Sequence, residues 1–203
     1  MPSARLIVIS APSGGGKTTI AGEILRRHPT LVFSVSATTR PKRDYEVNGV
    51  DYYFLSREDF QRLIDGRQLV EYEELFGQMY GTLRKEVDAG LNAGRSVLFD
   101  VDVKGALSIK KLYGETAVLI FVKPPDLQSL LTRLENRRTE DTAALKRRLE
   151  RVPLEMAEAD RFDFQVVNDR LEDAVNRVDD IVRDALQNFN SSSDHQKGTA
   201  NAD

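Results

Sequence analysis

The stretch from residue 6 to residue 20, Leu6-Ile7-Val8-Ile9-Ser10-Ala11-Pro12-Ser13-Gly14-Gly15-Gly16-Lys17-Thr18-Thr19-Ile20, decides the fold. Leu6–Ile9 is a short apolar run suited to a buried strand. Ile20 and Ile24 stand four apart, the spacing of one helix face, in a segment that Pro29 stops. Strand, glycine-rich turn, Lys-Thr and helix in that order are the context a P-loop requires. The glycines let the backbone turn its N–H groups inward around phosphate oxygens. The helix N-terminus adds a favourable partial positive charge. Lys17 is placed to reach the β- and γ-phosphates, and the Thr18 hydroxyl to ligate Mg²⁺. Ala11, Pro12, Ser13, Gly14, Gly15, Gly16, Lys17 and Thr18 are therefore the candidate phosphate cradle. The first glycine of the common pattern G-x-x-x-x-G-K-S/T is replaced by Ala11, a change of one methyl.

Working outward, further apolar runs at Leu31–Val35, Val97–Phe99, Val118–Val122 and Phe164–Val167 read as buried parallel strands. Helical segments lie between most of them. The alternation predicts an α/β fold, a five-stranded parallel sheet with helices on both faces. Ser56-Arg57-Glu58-Asp59 resembles a capping box opening a helix. Leu83–Ala93 reads as a helix ended by Gly94, Pro124-Pro125-Asp126 opens another, and Leu171–Phe189 is the last. Two stretches break the alternation. Residues 37–82, rich in Tyr, Thr, Arg and Gly, form a small mixed insertion with strand-like pieces at Tyr52–Leu55 and Gln68–Leu75. Residues 126–156 form an arginine-crowded helix–turn–helix. The core is then 1–36, 83–125 and 157–190. Residues 191–203 contain no large apolar group and are expected to be disordered.

Composition narrows the chemistry. Apolar residues make up 40% of the 203, enough for a real core. Cysteine is absent, which excludes disulfides, thiol nucleophiles and zinc ribbons. The two histidines, His28 and His195, are far apart, which argues against a multi-histidine metal site or a serine–histidine triad. The longest apolar run, Ala117–Val122, is too short to span a bilayer. A net charge of −3 argues against general nucleic-acid binding. The expectation is a cytoplasmic protein without a membrane or nucleic-acid partner. A homo-oligomer remains open.

Three blocks carry a resemblance. Pro12-Ser13-Gly14 inside the loop resembles the guanylate kinases, whose loop commonly reads G/A-P-S-G-x-G-K-S/T. The segment from Ser34 through Ser36, Thr38-Thr39-Arg40, Arg43, Glu46 and Gly49 to Tyr52 is similar to the family's monophosphate-binding signature, S-x-S-x-T-T-R…R…E-x-x-G-x-x-Y. Glu71, Tyr80-Gly81-Thr82 and Phe99-Asp100-Val101-Asp102 fall at the family's spacings. The resemblance runs from about residue 5 to residue 187. It departs at Pro41, which the family places directly before the second arginine but which Lys42 here separates from Arg43. It departs again at Tyr45, where the family commonly has glycine.

The resemblance implies transfer of the γ-phosphoryl group of ATP, with Mg²⁺, to GMP, on a sheet of strand order 2-3-1-4-5. Residues 11–18 and Asn168 are then the candidate ATP-binding residues, with Asn168 on the adenine side. Residues 37–82 become the GMP-binding part and residues 126–156 a lid. Chemistry supports the same residues. Arg40 and Arg43 offer bidentate forks to the acceptor phosphate, and Tyr52 and Tyr80 offer hydroxyls. Guanine presents N1–H and N2–H₂ as neighbouring donors, which the carboxylate of Glu71 can accept together. Ser36 and Thr82 can meet O6 or N7. Asp100 and Asp102 are assigned to the acceptor side by resemblance. Asp100 alternatively serves the water shell of Mg²⁺ or caps the helix starting near Val103. Within the arginine hairpin, Arg133 and Arg137 are four apart, as are Arg147 and Arg151, so each pair shares a helix face. By resemblance Arg137, Arg148 and Arg133 are, with Lys17, the catalytic cations. A phosphorylated-ribose kinase lacks the Ser36, Glu71 and Thr82 pocket. A guanylate-kinase-like scaffold domain is disfavoured by intact Lys17-Thr18.

Overall fold

The computed structural model describes the backbone of residues 4–75, 77–135 and 142–194, and their side chains except 127, 134, 135, 142–148 and 188–194. Strand β1 (Leu6–Ser10) is buried along its whole length, as a continuous apolar run at the centre of a parallel sheet should be. Its neighbours are β7 (Val97–Asp100) and β8 (Ala117–Lys123). Beyond them lie β2 (Val32–Phe33) and β9 (Phe164–Val167), giving the order β2-β7-β1-β8-β9, all parallel. Counted along the chain these five strands run 2-3-1-4-5, as the resemblance implies.

Alternation along β1 divides the core. Ile7 and Ile9 pack with Ile20 and Ile24 of α1 (Lys17–Arg27) and with Val175, Val178 and Val182 of α7 (Leu171–Asp194). Leu6 and Val8 face the other way, onto Val87 of α3 (Arg84–Asn92) and Val103, Ala106 and Ile109 of α4 (Val103–Tyr113). Helices thus cover both faces. Gly94 takes φ 68° just past α3, the left-handed conformation that ends a helix at little cost to glycine.

A second sheet of order β4-β3-β6-β5 stands beside the first. It comprises β3 (Ser36–Thr38), β4 (Tyr53–Phe54), β5 (Leu69–Leu75) and β6 (Gln78–Leu83). Its core is Ala37, Phe60, Leu69 and Leu83, with Phe60 supplied by α2 (Arg57–Asp65). Ser56 caps α2 by accepting from the Asp59 amide at 3.0 Å. Finally, α5 (Leu127–Glu135) and α6 (Thr142–Ala157) pack through Leu130 and Val152.

Three expectations change. The run Leu31–Val35 is not one strand. Val32 and Phe33 pair with β7, the Ser34 amide still donates to Leu98, and from Ser36 the chain joins the second sheet. Apolar periodicity does not mark where a strand changes sheets. Strand β9 is a sheet edge, not a strand buried on both faces, and only Val166 of its four residues is buried. The last helix continues to Asp194, past Phe189. Residues 195–203 of the expected tail lie outside the described residues.

Gly81 sits where the second sheet is tightest. A Cβ there meets Glu71 O at 2.9 Å, Tyr72 Cβ at 3.0 Å and Phe60 Cζ at 3.1 Å. Backbone and a buried ring cannot yield cheaply. Gly81→Ala should lower stability by about 1–3 kcal/mol, read as a reduced urea midpoint with an unchanged slope.

Candidate active site

The phosphate loop is shaped by two glycines with positive φ, Gly14 at 86° and Gly16 at 92°, the latter as N-cap of α1. Gly15 donates to Pro12 O at 2.8 Å and leaves no room for a side chain, since a Cβ would lie 2.9 Å from both Ala11 Cβ and Pro12 O. Ala11 is therefore accommodated because Gly15 opposite it is bare. Lys17 ion-pairs with Asp100, which pairs in register with Ile9 and so ends β7 beside the loop. Asp102, not Asp100, caps the following helix, its Oδ1 accepting from the Gly105 amide at 2.8 Å.

Asn168, past the end of β9, is buried. Its Nδ2 donates to Gly15 O at 2.9 Å, which ties the loop to the far sheet edge. Arg133 reaches the same place and donates to Asn168 O at 2.9 Å. Arg137 lies outside the described residues. Arg148 lies on α6, with its side chain also outside them.

The second sheet assembles the other half of the site by register. Ser36 on β3 pairs with Thr82 on β6, and Thr82 pairs with Glu71 on β5, so the three stand in one row across the sheet. A bulge between Leu69 and Glu71 makes this row. Regular pairing from Leu69–Leu83 would set Val70 opposite Thr82. One extra residue moves the whole strand to its other face. Thr82 donates to Glu71 Oε1 at 2.6 Å. Gly105, in the first turn of α4, is bare against the carboxyl, because a Cβ there would come within 2.9 Å of Glu71 Oε2. Burial, with help from nearby Glu73, pushes Glu71 up to about 7, against the hydrogen bond from Thr82. Ser36, Glu71, Glu73, Tyr80, Asp100 and Asp102, with Lys17, line a cleft of about 150 Å³.

A wider cleft of about 630 Å³ opens from it. Thr18, Ser36, Arg40, Arg43, Tyr52, Tyr80 and Asp100 line it, so the phosphate-loop threonine shares a space with both sequence-selected arginines. Arg40 is held by a bidentate pair with Glu46, at 3.0 and 2.6 Å, and lies over the rings of Tyr52 and Phe54, with centroids at 5.4 and 5.6 Å. Glu46 also accepts from the Arg43 amide at 2.7 Å. The departure at Tyr45 has a local consequence: Arg43 Nη1 donates to its hydroxyl at 2.9 Å. Tyr52 and Tyr80 meet edge-on at 6.1 Å, and burial raises the Tyr52 phenol.

A third cleft, about 300 Å³, is walled by residues 11–19 together with Tyr52, Leu75, Asp102, Arg151 and Glu155. Glu155 of α6 accepts from the Ser13 amide at 3.2 Å. Another cleft, about 650 Å³, lies elsewhere, between α2 and α3, and holds none of the candidate residues. Sequence reasoning missed Glu46, Glu73, Arg151 and Glu155. Glu46 was visible as the glutamate of the arginine-flanked signature. Glu73 shares period 2 with Glu71, and Arg151 and Glu155 stand at helical i, i+4 spacing.

A parallel sheet of order 2-3-1-4-5, a glycine-rich loop opening a helix and an arginine-lined insertion beside it define a P-loop nucleoside-monophosphate kinase. The family model described as "Guanylate kinase" matches residues 3–185. A guanylate kinase from Chlorobium chlorochromatii (strain CaD3) is 50% identical over 188 residues, covering 93% of this chain and 97% of that one. One from Salinibacter ruber is 50% identical, covering 92% and 99%. The crystal structure of guanylate kinase from Anaplasma phagocytophilum superposes with a TM-score of 0.75 at 30% identity, covering 92% of this chain and 88% of that one. The chain belongs to the guanylate kinase family.

Glu46 is held well below the usual carboxylate range, at about 2, first by its hydrogen bonds from Arg40. A depressed native value means this pair stabilises the fold fully above about pH 4.5, and that the contribution is lost as pH falls toward 2. Glu46→Gln should lower the melting temperature at pH 7, and the difference from the unaltered protein should shrink on acidification. A pH-independent difference would contradict the assignment.

Proposed function

We propose that the clefts divide the substrates of the guanylate kinase reaction, transfer of the γ-phosphoryl group of ATP to GMP, between the two sheets. ATP lies along residues 11–18, with Asn168 on its adenine side. GMP lies in the second sheet, its base in the small cleft and its phosphate in the wider one. The observation that carries this reading is the row Ser36–Thr82–Glu71, a carboxyl at the end of a line of two hydroxyls and partly withdrawn from water. Guanine offers that row two adjacent donors for the carboxylate and acceptors for the hydroxyls. Adenine has a lone pair at N1 and meets the same carboxylate with repulsion.

The acceptor phosphate is itself the nucleophile near neutral pH, so no protein base is needed. Arg40 and Arg43, with Tyr52 and Tyr80, fix its position and neutralise its charge. Lys17 leaves Asp100 for the transferred phosphoryl group, exchanging one anion for another. Catalysis is then positioning plus charge stabilisation. Arg133, Arg137 and Arg148 are proposed to add cations from the segment 126–156, acting as a lid over the phosphates.

Among the described residues no group of three or more acidic or histidine side chains could hold a metal by itself. That fits Mg²⁺, which is commonly held by one or two protein oxygens together with substrate phosphates and water. Thr18 would supply the hydroxyl, and Asp100 serves either its water shell or GMP. When bound, the ion neutralises the β- and γ-oxygens. No helix among the described residues is long and apolar enough to cross a membrane. A cytoplasmic setting belongs to this reading, because ATP and GMP are available there.

The test is base choice. Glu71→Gln keeps the size but turns one acceptor into a donor facing a guanine donor. kcat/KM for GMP should fall by about 2–4 kcal/mol in transition-state terms, with KM for ATP little changed. AMP should gain relative to GMP, because the amide can donate to adenine N1. An unchanged GMP/AMP ratio would mean that Glu71 does not read the base.

A further inference from the structure

Between the clefts, one cation joins carboxylates from three separate elements. Arg151 on α6 lies 3.3 Å from Glu73 of β5, 3.7 Å from Asp102 at the N-cap of α4, and 3.2 Å from Glu155 one turn further along its own helix. Lys104 also reaches Glu73, at 3.1 Å, but its side chain is 77% exposed against 26% for Arg151. The exposed ammonium is screened by water and salt and contributes little, whereas the recessed guanidinium acts through a lower dielectric.

The carboxylates it joins belong to the two halves of the site. Glu73 follows Glu71 by two residues on β5, so both stand on one face of the sheet. Asp102 shares the guanine cleft with them. Glu73 Oε2 and Asp102 Oδ2 are buried without a hydrogen-bond partner among the described residues, so their charge is balanced through space. Glu155, by contrast, is anchored on the phosphate loop through the Ser13 amide at 3.2 Å. Without Arg151, three carboxylates would face one another around the gap between the clefts, and like charges so placed repel.

We propose that Arg151 is a positioning residue that makes guanine reading and phosphate-loop seating one unit. It neutralises Glu73 and Asp102 beside the base-reading carboxylate. It also steers Glu155 onto the Ser13 amide, so that α6, the base-reading strand and the loop seat together. It acts through these three carboxylates. The inference rests on the reading of Glu71 as the group that accepts from guanine.

Arg151→Met, Arg151→Lys and the double variant Glu73→Gln/Arg151→Met separate its two effects. In Arg151→Met, KM for GMP should rise about tenfold as the uncompensated charge of Glu73 opposes ionisation of Glu71, and KM for ATP should rise several-fold. The double variant removes that charge, so KM for GMP should return to within about threefold of the unaltered enzyme, while KM for ATP stays raised. Arg151→Lys keeps the charge and should leave KM for GMP within about threefold even if the methionine variant fails to fold. A loss confined to melting temperature, or a KM for GMP equally raised in the lysine or double variant, would overturn the proposal. Its failure is distinguishable from that of the base reading. If Glu71→Gln lowers the GMP/AMP ratio but Arg151→Met leaves KM for GMP unchanged, only the role of Arg151 falls.

Discussion

A carboxyl group withdrawn from water is costly to ionise unless donors are waiting for it, and the second sheet is organised around one such group. Among the described residues Glu71 accepts a hydroxyl hydrogen bond from Thr82 at 2.6 Å, and burial pushes it up to about 7. Its placement depends on a chain of local choices. The bulge after Leu69 brings Glu71 opposite Thr82, and pairing of Thr82 with Ser36 adds the second hydroxyl. Bare Gly105 lets the first turn of α4 close on the carboxyl, and Asp102 fixes that turn by capping it. A substrate that donates two hydrogen bonds completes what the protein leaves incomplete, which is how a site rejects a base of the wrong polarity.

The phosphate half follows a different logic, that of cations held ready by anions. Lys17 rests on Asp100, and Arg40 on Glu46. Each pairing orders a long side chain before any phosphate arrives, Lys17 at the phosphate-loop and guanine-side clefts and Arg40 in the wider one. The loop itself is braced from the opposite sheet edge by Asn168 and from α6 by Glu155. Preorganisation of this kind is what phosphoryl transfer needs, since positioning and charge neutralisation do most of the chemistry.

Much of this was legible in the residues, and the remainder was hidden for physical reasons. The phosphate loop could be read because glycine, lysine and threonine at that spacing have few other uses. Strands β1, β7 and β8 could be read because central parallel strands are continuously apolar. The run Leu31–Val35 misled because only Val32–Phe33 of it pairs in the main sheet before the chain crosses to the second sheet at Ser36, and nothing in periodicity marks the crossing. Strand β9 looked buried because its composition is that of a core strand, although it forms an edge. Glu73 was not selected, because alternate burial on a strand depends on which face the sheet turns inward. Asp100 was one candidate for the cap of α4, which belongs to Asp102, two residues later, because a helix start is hard to place without its backbone.

The central claim is that guanine binding ionises Glu71. It is tested most directly by the protons released when GMP binds. Titration calorimetry at pH 6.5 in buffers of different ionisation enthalpy counts them. Because burial pushes the unliganded carboxyl up to about 7, the unaltered protein should release a substantial fraction of a proton more than Glu71→Gln does. At pH 8.5, where the group is already ionised, the two should agree. Equal proton release by both proteins at pH 6.5 would contradict the account.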